Sequence, residues 1–392
     1  MWATYLARML AVAAALLVGC IPSPGCFDEA CRPVDLAPFV VTDVDEARSE
    51  MAGGFLLLTQ LDEEWVSYAA VIDGRGRHRW WYGPRLDRRE RVLRARLSHD
   101  RQSVIVGIRH PDNSQLGGRI RWLNASDATV VREVVVEDHH HELVELDDGR
   151  VAYLSRRRVP DVWFGTEAPL AVDTVRVLGR DGRDEVVLDL LDDVGLSPSW
   201  TCSHMGLTEF VAGALDWTHT NSLVVDPDSG DMTLGIRHFD SALRVDSDGG
   251  VRWWMGAPPG LSTGFGSQTS LRHPDELEPL AGATRPRHGH FSEAWPDGML
   301  VFDNGNHTTR PTRIVEYAVD EALGTYREVW SYVHPQGIRF GARGDALRLP
   351  GGNVLVAWSG IGEIWEITRE GDVVWKADTA QKVLRMQFVE DW

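Results

Sequence analysis

After its first twenty residues this chain of 392 residues has no apolar run approaching the roughly 20 residues a transmembrane helix needs, so no later helix is expected to cross a bilayer. A positive excess is also missing. The formal net charge of −18 argues against general affinity for nucleic acid or anionic lipid, because a uniform negative field repels both, so any attraction for an anion must be local. Cysteine is scarce, with four in the chain and no C-x-x-C pair of the kind that holds zinc or runs redox exchange. Helical periodicity of 3.6 residues is almost absent, which points to all-β architecture.

The first twenty residues read as an export signal. Arg8 gives a weak positive start, Met9 to Val18 form an apolar stretch too short to span a bilayer, and Leu17-Val18-Gly19-Cys20 closes it. That tetrad resembles the bacterial lipoprotein box, in which the cysteine becomes the lipidated first residue. The expectation is a signal peptide over 1–19, a lipoprotein tether and linker over 20–52, and lipidation at Cys20. It implies an envelope protein whose only membrane contact is the lipid anchor, on the periplasmic or cell-surface side. Cys26, Cys31 and Cys202 remain, an odd number for an oxidising compartment. Cys26 and Cys31 can close a small loop, or either can pair with Cys202, and spacing does not choose.

An internal repeat sets the fold. An Asp/Gly turn followed by alternating β-branched residues, often ending in Trp, recurs six times: Asp73 to Trp81, Asn124 to Val135, Asp181 to Leu190, Asp246 to Trp254, Asp320 to Trp330 and Glu370 to Trp375. Hairpins of the form apolar residue, turn, glycine, strand precede several of these, as in Leu146 to Val151, Trp295 to Leu300 and Leu349 to Val354. Short strands at a regular period read as a six-bladed β-propeller over 53–392, which protects its edges by radial repetition. The expected blades are 53–91, 92–136, 139–191, 217–256, 288–333 and 343–380. Loops fill 192–216 and 257–287, and Val383 to Val389 either closes the ring or finishes the last blade. Sixteen tryptophans suit the packing of blade on blade.

Inner strands of a propeller line its channel, so polar residues at their starts share one cavity. His141 stands eight residues before Gly149 and His290 eight before Gly298, which gives both the same phase in their hairpins. His219 opens the intervening inner strand, with Asn221 on the same side two residues on. In His139-His140-His141 the period of two lets His139 and His141 share a face while His140 points away. Arg237 approaches from the next strand, and Val106-Gly107-Ile108-Arg109-His110 echoes Leu234-Gly235-Ile236-Arg237-His238. The triple-histidine run invites zinc. A strand presents only two of the three together, so no metal is expected there.

These stretches resemble the PAPS-independent arylsulfate sulfotransferases, the arylsulfotransferase family. The likeness runs from about residue 139 onward. Its best part is Asp216 to Gly256, DWTHTNSLVVDPDSGDMTLGIRHFDSALRVDSDGGVRWWMG, followed by Phe302-Asp303-Asn304-Gly305, Arg313 to Tyr317, and Gly344 to Trp375. The resemblance implies His290 as histidine nucleophile, His219 and Asn221 as the His-x-Asn pair, Arg237 as sulfate clamp and His141 as an earlier channel histidine. It implies transfer from an aryl sulfate donor to a phenol acceptor with no nucleotide or other cofactor. Where the family usually has Gln before the nucleophile, this chain has His288-Gly289, so His288 is a rival for that role or a substrate-binding group. Thr312 stands where the family has serine, and the separate N-terminal β-sandwich of some members is expected to be absent. Asp303, Asn304 and Asn306 read as turn residues.

The chemistry needs these residue types. A sulfuryl group passes through a loose, in-line transition state much as a phosphoryl group does, so positioning and charge stabilisation carry most of the catalysis. A neutral imidazole supplies the nucleophile and splits one displacement into two. An arginine offers fixed N–H donors to the oxygens, Asn221 adds a neutral donor, and a second histidine moves the phenol proton. Two other readings stay open. One is a non-catalytic propeller that binds a ligand or partner through its loops, since fold does not imply chemistry. The other is a quinone-dependent dehydrogenase, suggested by Gly…Trp blade ends, although no carboxylate cluster for a quinone or calcium is evident.

Overall fold

The computed structural model describes residues 26–27, 31–83, 90–109, 118–160, 168–194, 196, 207–208, 213–256 and 275–392. Cys20 and Cys202 fall outside them, as do most of 192–216 and 257–287. Among the described residues there is no α-helix, and the strands form six sheets. Strands Lys382–Val389, Arg91–Leu97, Leu143–Glu145, Thr220–Val225, Phe291–Trp295 and Asp345–Arg348 touch one another in that cyclic order. They are the inner strands of a six-bladed β-propeller.

The repeated turns explain the blades. In Asp73-Gly74-Arg75-Gly76 the Asp73 carboxylate accepts the amides of Arg75 at 2.9 Å and Arg77 at 3.0 Å, while Gly76 takes the left-handed φ of 77° that closes the hairpin. Asp246 repeats the device on Asp248 at 3.0 Å and Gly250 at 2.8 Å. Tryptophans then lock blade to blade, as expected. Trp375 of the last blade is wholly buried with Trp81 of the first, and its indole N–H donates to the Gly74 carbonyl at 2.8 Å.

Two boundaries differ from the sequence reading, both because ring closure is non-local. The blade expected at 53–91 takes its inner strand from the far end of the chain, where Lys382–Val389 pairs antiparallel with Phe55–Leu61. The terminal strand thus closes the ring rather than finishing the last blade. Within the stretch assigned to a tether, Phe39–Val44 pairs with Val373–Thr379 as a fifth, outermost strand of the last blade. Chain ends from opposite termini therefore stitch the first and last blades together. Cys26 and Cys31 form a disulfide, which selects the local loop, and Phe27 between them packs edge-on against Trp81 at 5.1 Å.

Candidate active site

A cavity of about 300 Å³ opens where the inner strands begin. Its polar lining is His140, His141, His219 and His290 with Arg91, Arg109, Arg237, Arg343 and Arg385, and its apolar wall includes Leu61, Trp65, Val92 and Leu384. Three of the expected histidines meet here. The ring centroid of His141 is 5.2 Å from that of His219 and 6.1 Å from that of His290.

His290 is buried at the entry to Phe291–Trp295. Its Nδ1 lies 2.9 Å from the Gly344 carbonyl, and a carbonyl only accepts, so Nδ1 carries the proton and Nε2 keeps a lone pair. Arg385 Nη1 is farther from Nδ1, at 3.4 Å, and acts there as a charge rather than a donor. Burial above all, then the Arg385 cation, holds the His290 pKa well below the ordinary histidine value, so the ring is neutral. A neutral imidazole in this tautomer can act as a nucleophile through Nε2. Gly344 occupies φ 110°, a conformation that L side chains avoid, and a Cβ there would meet the Phe302 ring at 2.2 Å.

His219 differs in its second nitrogen. Its Nδ1 is 2.5 Å from Asp216 Oδ2, so Nδ1 donates to a carboxylate and Nε2 is available to the cavity. Burial raises the Asp216 pKa, but His219 and Arg156 outweigh it and keep the group well below the usual range. A carboxylate on Nδ1 fixes the tautomer and orientation of the ring, so Nε2 is the atom that can exchange a proton with a bound group.

A second chain of contacts orients His141. His140 Nε2 reaches the Ser155 carbonyl at 3.2 Å and Asp173 Oδ1 at 3.2 Å, so it is a donor there and its Nδ1 accepts from His141 Nδ1 at 3.0 Å. That leaves the His141 lone pair on Nε2. Burial, then His219 and His140, hold its pKa well below the ordinary value.

Arg237 lines the cavity from the short turn Arg237–Phe239, just after strand Met232–Ile236 rather than within it. Its Nη2 donates to the Gly341 carbonyl at 3.0 Å and its Nη1 sits 3.0 Å from His238 Nε2. The sequence reading missed Arg385, which is 2% exposed and central. It donates to the carbonyls of Asn221 and His290, the latter at 3.1 Å, and lies 3.7 Å from Asp345 Oδ1 and 4.0 Å from Glu142 Oε2. Arg109 is visible in the sequence as the echo of Arg237. It pairs with Asp138 at 3.2 Å and lines the cavity as well.

Three expectations are corrected by placement. His140 lines the cavity with His141, whereas His139 packs against Gly107 and Tyr153 behind it. The period-two rule fails because the run lies ahead of strand Leu143–Glu145, with His141 at φ 50°. Asn221 does not face the cavity; its amide donates to the Gly289 carbonyl at 3.1 Å and steadies the segment that carries His290. His288 is wholly buried outside the cavity lining, with its Nε2 2.9 Å from His307 Nε2, so it is no rival to His290 as a cavity nucleophile. The Asp303 to Asn306 turn does more than turn. Asn304 donates to the carbonyls of Phe340 and Arg343, both at 3.0 Å, and Asn306 to Gly341 at 2.9 Å, which braces the loop bearing the partners of Arg237 and His290.

Residues 40–364 match the family model described as Arylsulfotransferase (ASST). Two curated relatives, both described as arylsulfate sulfotransferase AssT and found in Escherichia coli O6:H1 and Lelliottia amnigena, are each 23% identical, over 330 and 331 residues. Each match covers 70% of this chain and 54% of the relative, so the chain spans about half the length of the curated relatives it matches. Among solved structures, the periplasmic gluconolactonase of Pseudomonas aeruginosa superposes with a TM-score of 0.44 at 15% identity, covering 86% of this chain and 99% of that one.

Proposed function

The chain belongs to the arylsulfotransferase family, and from that membership we propose that its central cavity moves a sulfuryl group from a phenolic sulfate ester to a phenol through a covalent sulfo-histidine on His290. One observation carries the reading: a buried, neutral imidazole, with its proton fixed on Nδ1 by the Gly344 carbonyl, stands among arginines and two further histidines.

In the first half-reaction His290 Nε2 attacks sulfur in line with the departing phenol oxygen. The N–S bond forms as the S–O(aryl) bond breaks, and His219 Nε2–H gives its proton to the leaving phenolate. In the second half His219 Nε2 takes the proton of the incoming phenol while its oxygen attacks sulfur, which releases neutral His290. Arg237 and Arg385 hold the three sulfuryl oxygens with oriented N–H donors and balance charge as the bonds exchange. Trp65 and the leucines offer an apolar wall to an aromatic ring. No nucleotide takes part. The proposal extends to location, with Cys20 lipidated and the propeller held at the envelope, on the strength of the Leu17 to Cys20 tetrad.

The test is direct. Purified protein, a chromogenic aryl sulfate and a phenol acceptor, without any nucleotide, should release the chromophore and form the acceptor's sulfate ester in equal amounts. Release of inorganic sulfate with no acceptor ester, or no release at all, overturns the transferase reading.

A further inference from the structure

A second cluster of donor atoms lies behind the cavity, and we propose that Asp240, His288 and His307 form a binding site for one divalent transition-metal ion of the zinc class. One ligand atom from each residue falls within 4.8 Å of the others. None of the three lines the cavity. They come from separate segments of two neighbouring blades: Asp240 directly after the Arg237–Phe239 turn, His288 two residues before His290, and His307 two residues beyond Gly305.

The geometry fits an ion of that size. His288 Nε2 lies 2.9 Å from His307 Nε2 and 3.8 Å from Asp240 Oδ1, with the two rings at 85° to each other. Around a tetrahedral zinc with Zn–N bonds of about 2.0–2.1 Å, neighbouring ligand atoms stand roughly 3.3 Å apart, a value the two separations bracket. Asp240 is already oriented by contacts that leave room for a ligand bond. Arg287 Nη1 holds Oδ2 at 3.0 Å, and the His288 amide donates to Oδ1 at 2.7 Å, the kind of support that fixes ligating carboxylates elsewhere. Asp303 Oδ1 accepts the Arg287 backbone amide at 2.8 Å and so fixes the segment that leads into His288. His307 is exposed, so water has access to the fourth position.

The donor set selects the metal class. Two imidazoles and one carboxylate suit zinc and its late first-row neighbours rather than magnesium or calcium, which prefer oxygen. A second histidine–aspartate group, Asp216, His219 and His238, meets the same distance criterion. Its nitrogens are otherwise engaged. His238 Nδ1 is 2.7 Å from the Asp216 carbonyl and its Nε2 faces the Arg237 guanidinium, so a cation already stands where an ion would sit. An ion at Asp240 instead ties the Arg237 turn to the segment that carries His290. It acts as a staple behind the site, and its presence does not depend on the sulfotransferase reading.

Untagged full-length protein, stripped with EDTA and dialysed, is titrated with Zn²⁺ by calorimetry and with Co²⁺ by visible absorption. The expected result is one equivalent bound, cobalt bands in the visible and a rise in the thermal unfolding midpoint that EDTA reverses. His307→Ala and the bulkier His307→Gln, both at an exposed position, should weaken binding by at least about a hundredfold, more than the roughly 10–100-fold lost with a ligand's supporting contact. His219→Ala should still bind one equivalent. Failure of the parent protein to bind zinc or cobalt, equal binding by both His307 variants, or loss confined to His219→Ala each overturns the proposal.

Discussion

Replacing Asp216 by Asn changes one atom in shape and removes the charge that His219 Nδ1 faces at 2.5 Å. The fold should tolerate it. Arg156, 3.8 Å from Asp216, keeps its nearer partner Asp173 at 3.0 Å, so the loss is that of one charge-assisted hydrogen bond, about 1.5–3 kcal/mol. The catalytic effect depends on the leaving group. Where the departing phenolate is strongly basic, proton delivery by His219 is required, and losing a positioned general acid costs about 10²–10⁴-fold, or roughly 3–5 kcal/mol in the barrier. A nitrophenolate is stable without a proton, so donor cleavage should fall by less than about tenfold. The assay is single-turnover release from a series of substituted phenyl sulfates by Asp216→Asn and the parent protein. A steeper dependence on leaving-group acidity in the variant is expected. Parallel plots, with every donor slowed equally, would refute a proton-transfer role for the Asp216–His219 pair.

Arg385→Gln should lose about 10²–10³-fold in donor cleavage from the missing donors, and about 3–5 kcal/mol of stability because Asp345 and Glu142 lose a buried cation, checked by kinetics and urea unfolding; values near the parent's on both would remove Arg385 from the account. Stability should fall on acidification from pH 7. Burial lowers the pKa of His139 and His238 to about 3 in the folded state and holds His140, His141 and His290 below the ordinary histidine value as well, so below 6.5 the unfolded chain binds protons that the native one does not, and these five outnumber the carboxylates that act in the opposite sense. Each group then costs about 1.4 kcal/mol per pH unit. Asp345, raised to about 6, and Glu293, raised to about 7, work oppositely between about pH 4 and 7. Denaturant midpoints that hold level from pH 7 to 5 in the parent, and in His139→Phe with His238→Phe, would contradict the histidine contribution. Cys20→Ser should move the protein from the membrane fraction to the soluble one, and a mature start elsewhere without lipid would end the anchor proposal.

Much of the ring was legible because each blade carries its own local signal, an Asp/Gly turn that a neighbouring residue cannot imitate. His141, His219 and His290 were found by phase within those hairpins, which is also a local quantity. Arg385 was hidden for the opposite reason. Its strand reads as an ordinary terminal segment until one knows that it pairs with Phe55–Leu61 across the whole chain. Arg343 and Trp65 sit in loops, where no periodicity reports a direction, and they meet at the cavity mouth with the guanidinium 5.4 Å from the indole ring. His139 and His140 were assigned to the wrong sides because a strand rule was applied to a segment that lies ahead of its strand. Asn221 was found by the period of the strand, but its amide nitrogen donates to the Gly289 carbonyl, a contact that no local pattern reports.

The central claim is that His290 Nε2 carries the sulfuryl group between donor and acceptor. Intact-mass analysis after incubation with aryl sulfate alone, in parent protein and in His290→Ala, addresses it most directly. The expected result is one sulfuryl mass increment on the parent, discharged when phenol is added and absent from the variant, with the label on His290 in the digest. An undiminished adduct in His290→Ala would place the nucleophile on another residue. No adduct on a parent protein that turns over would mean direct transfer, and the covalent account would be wrong.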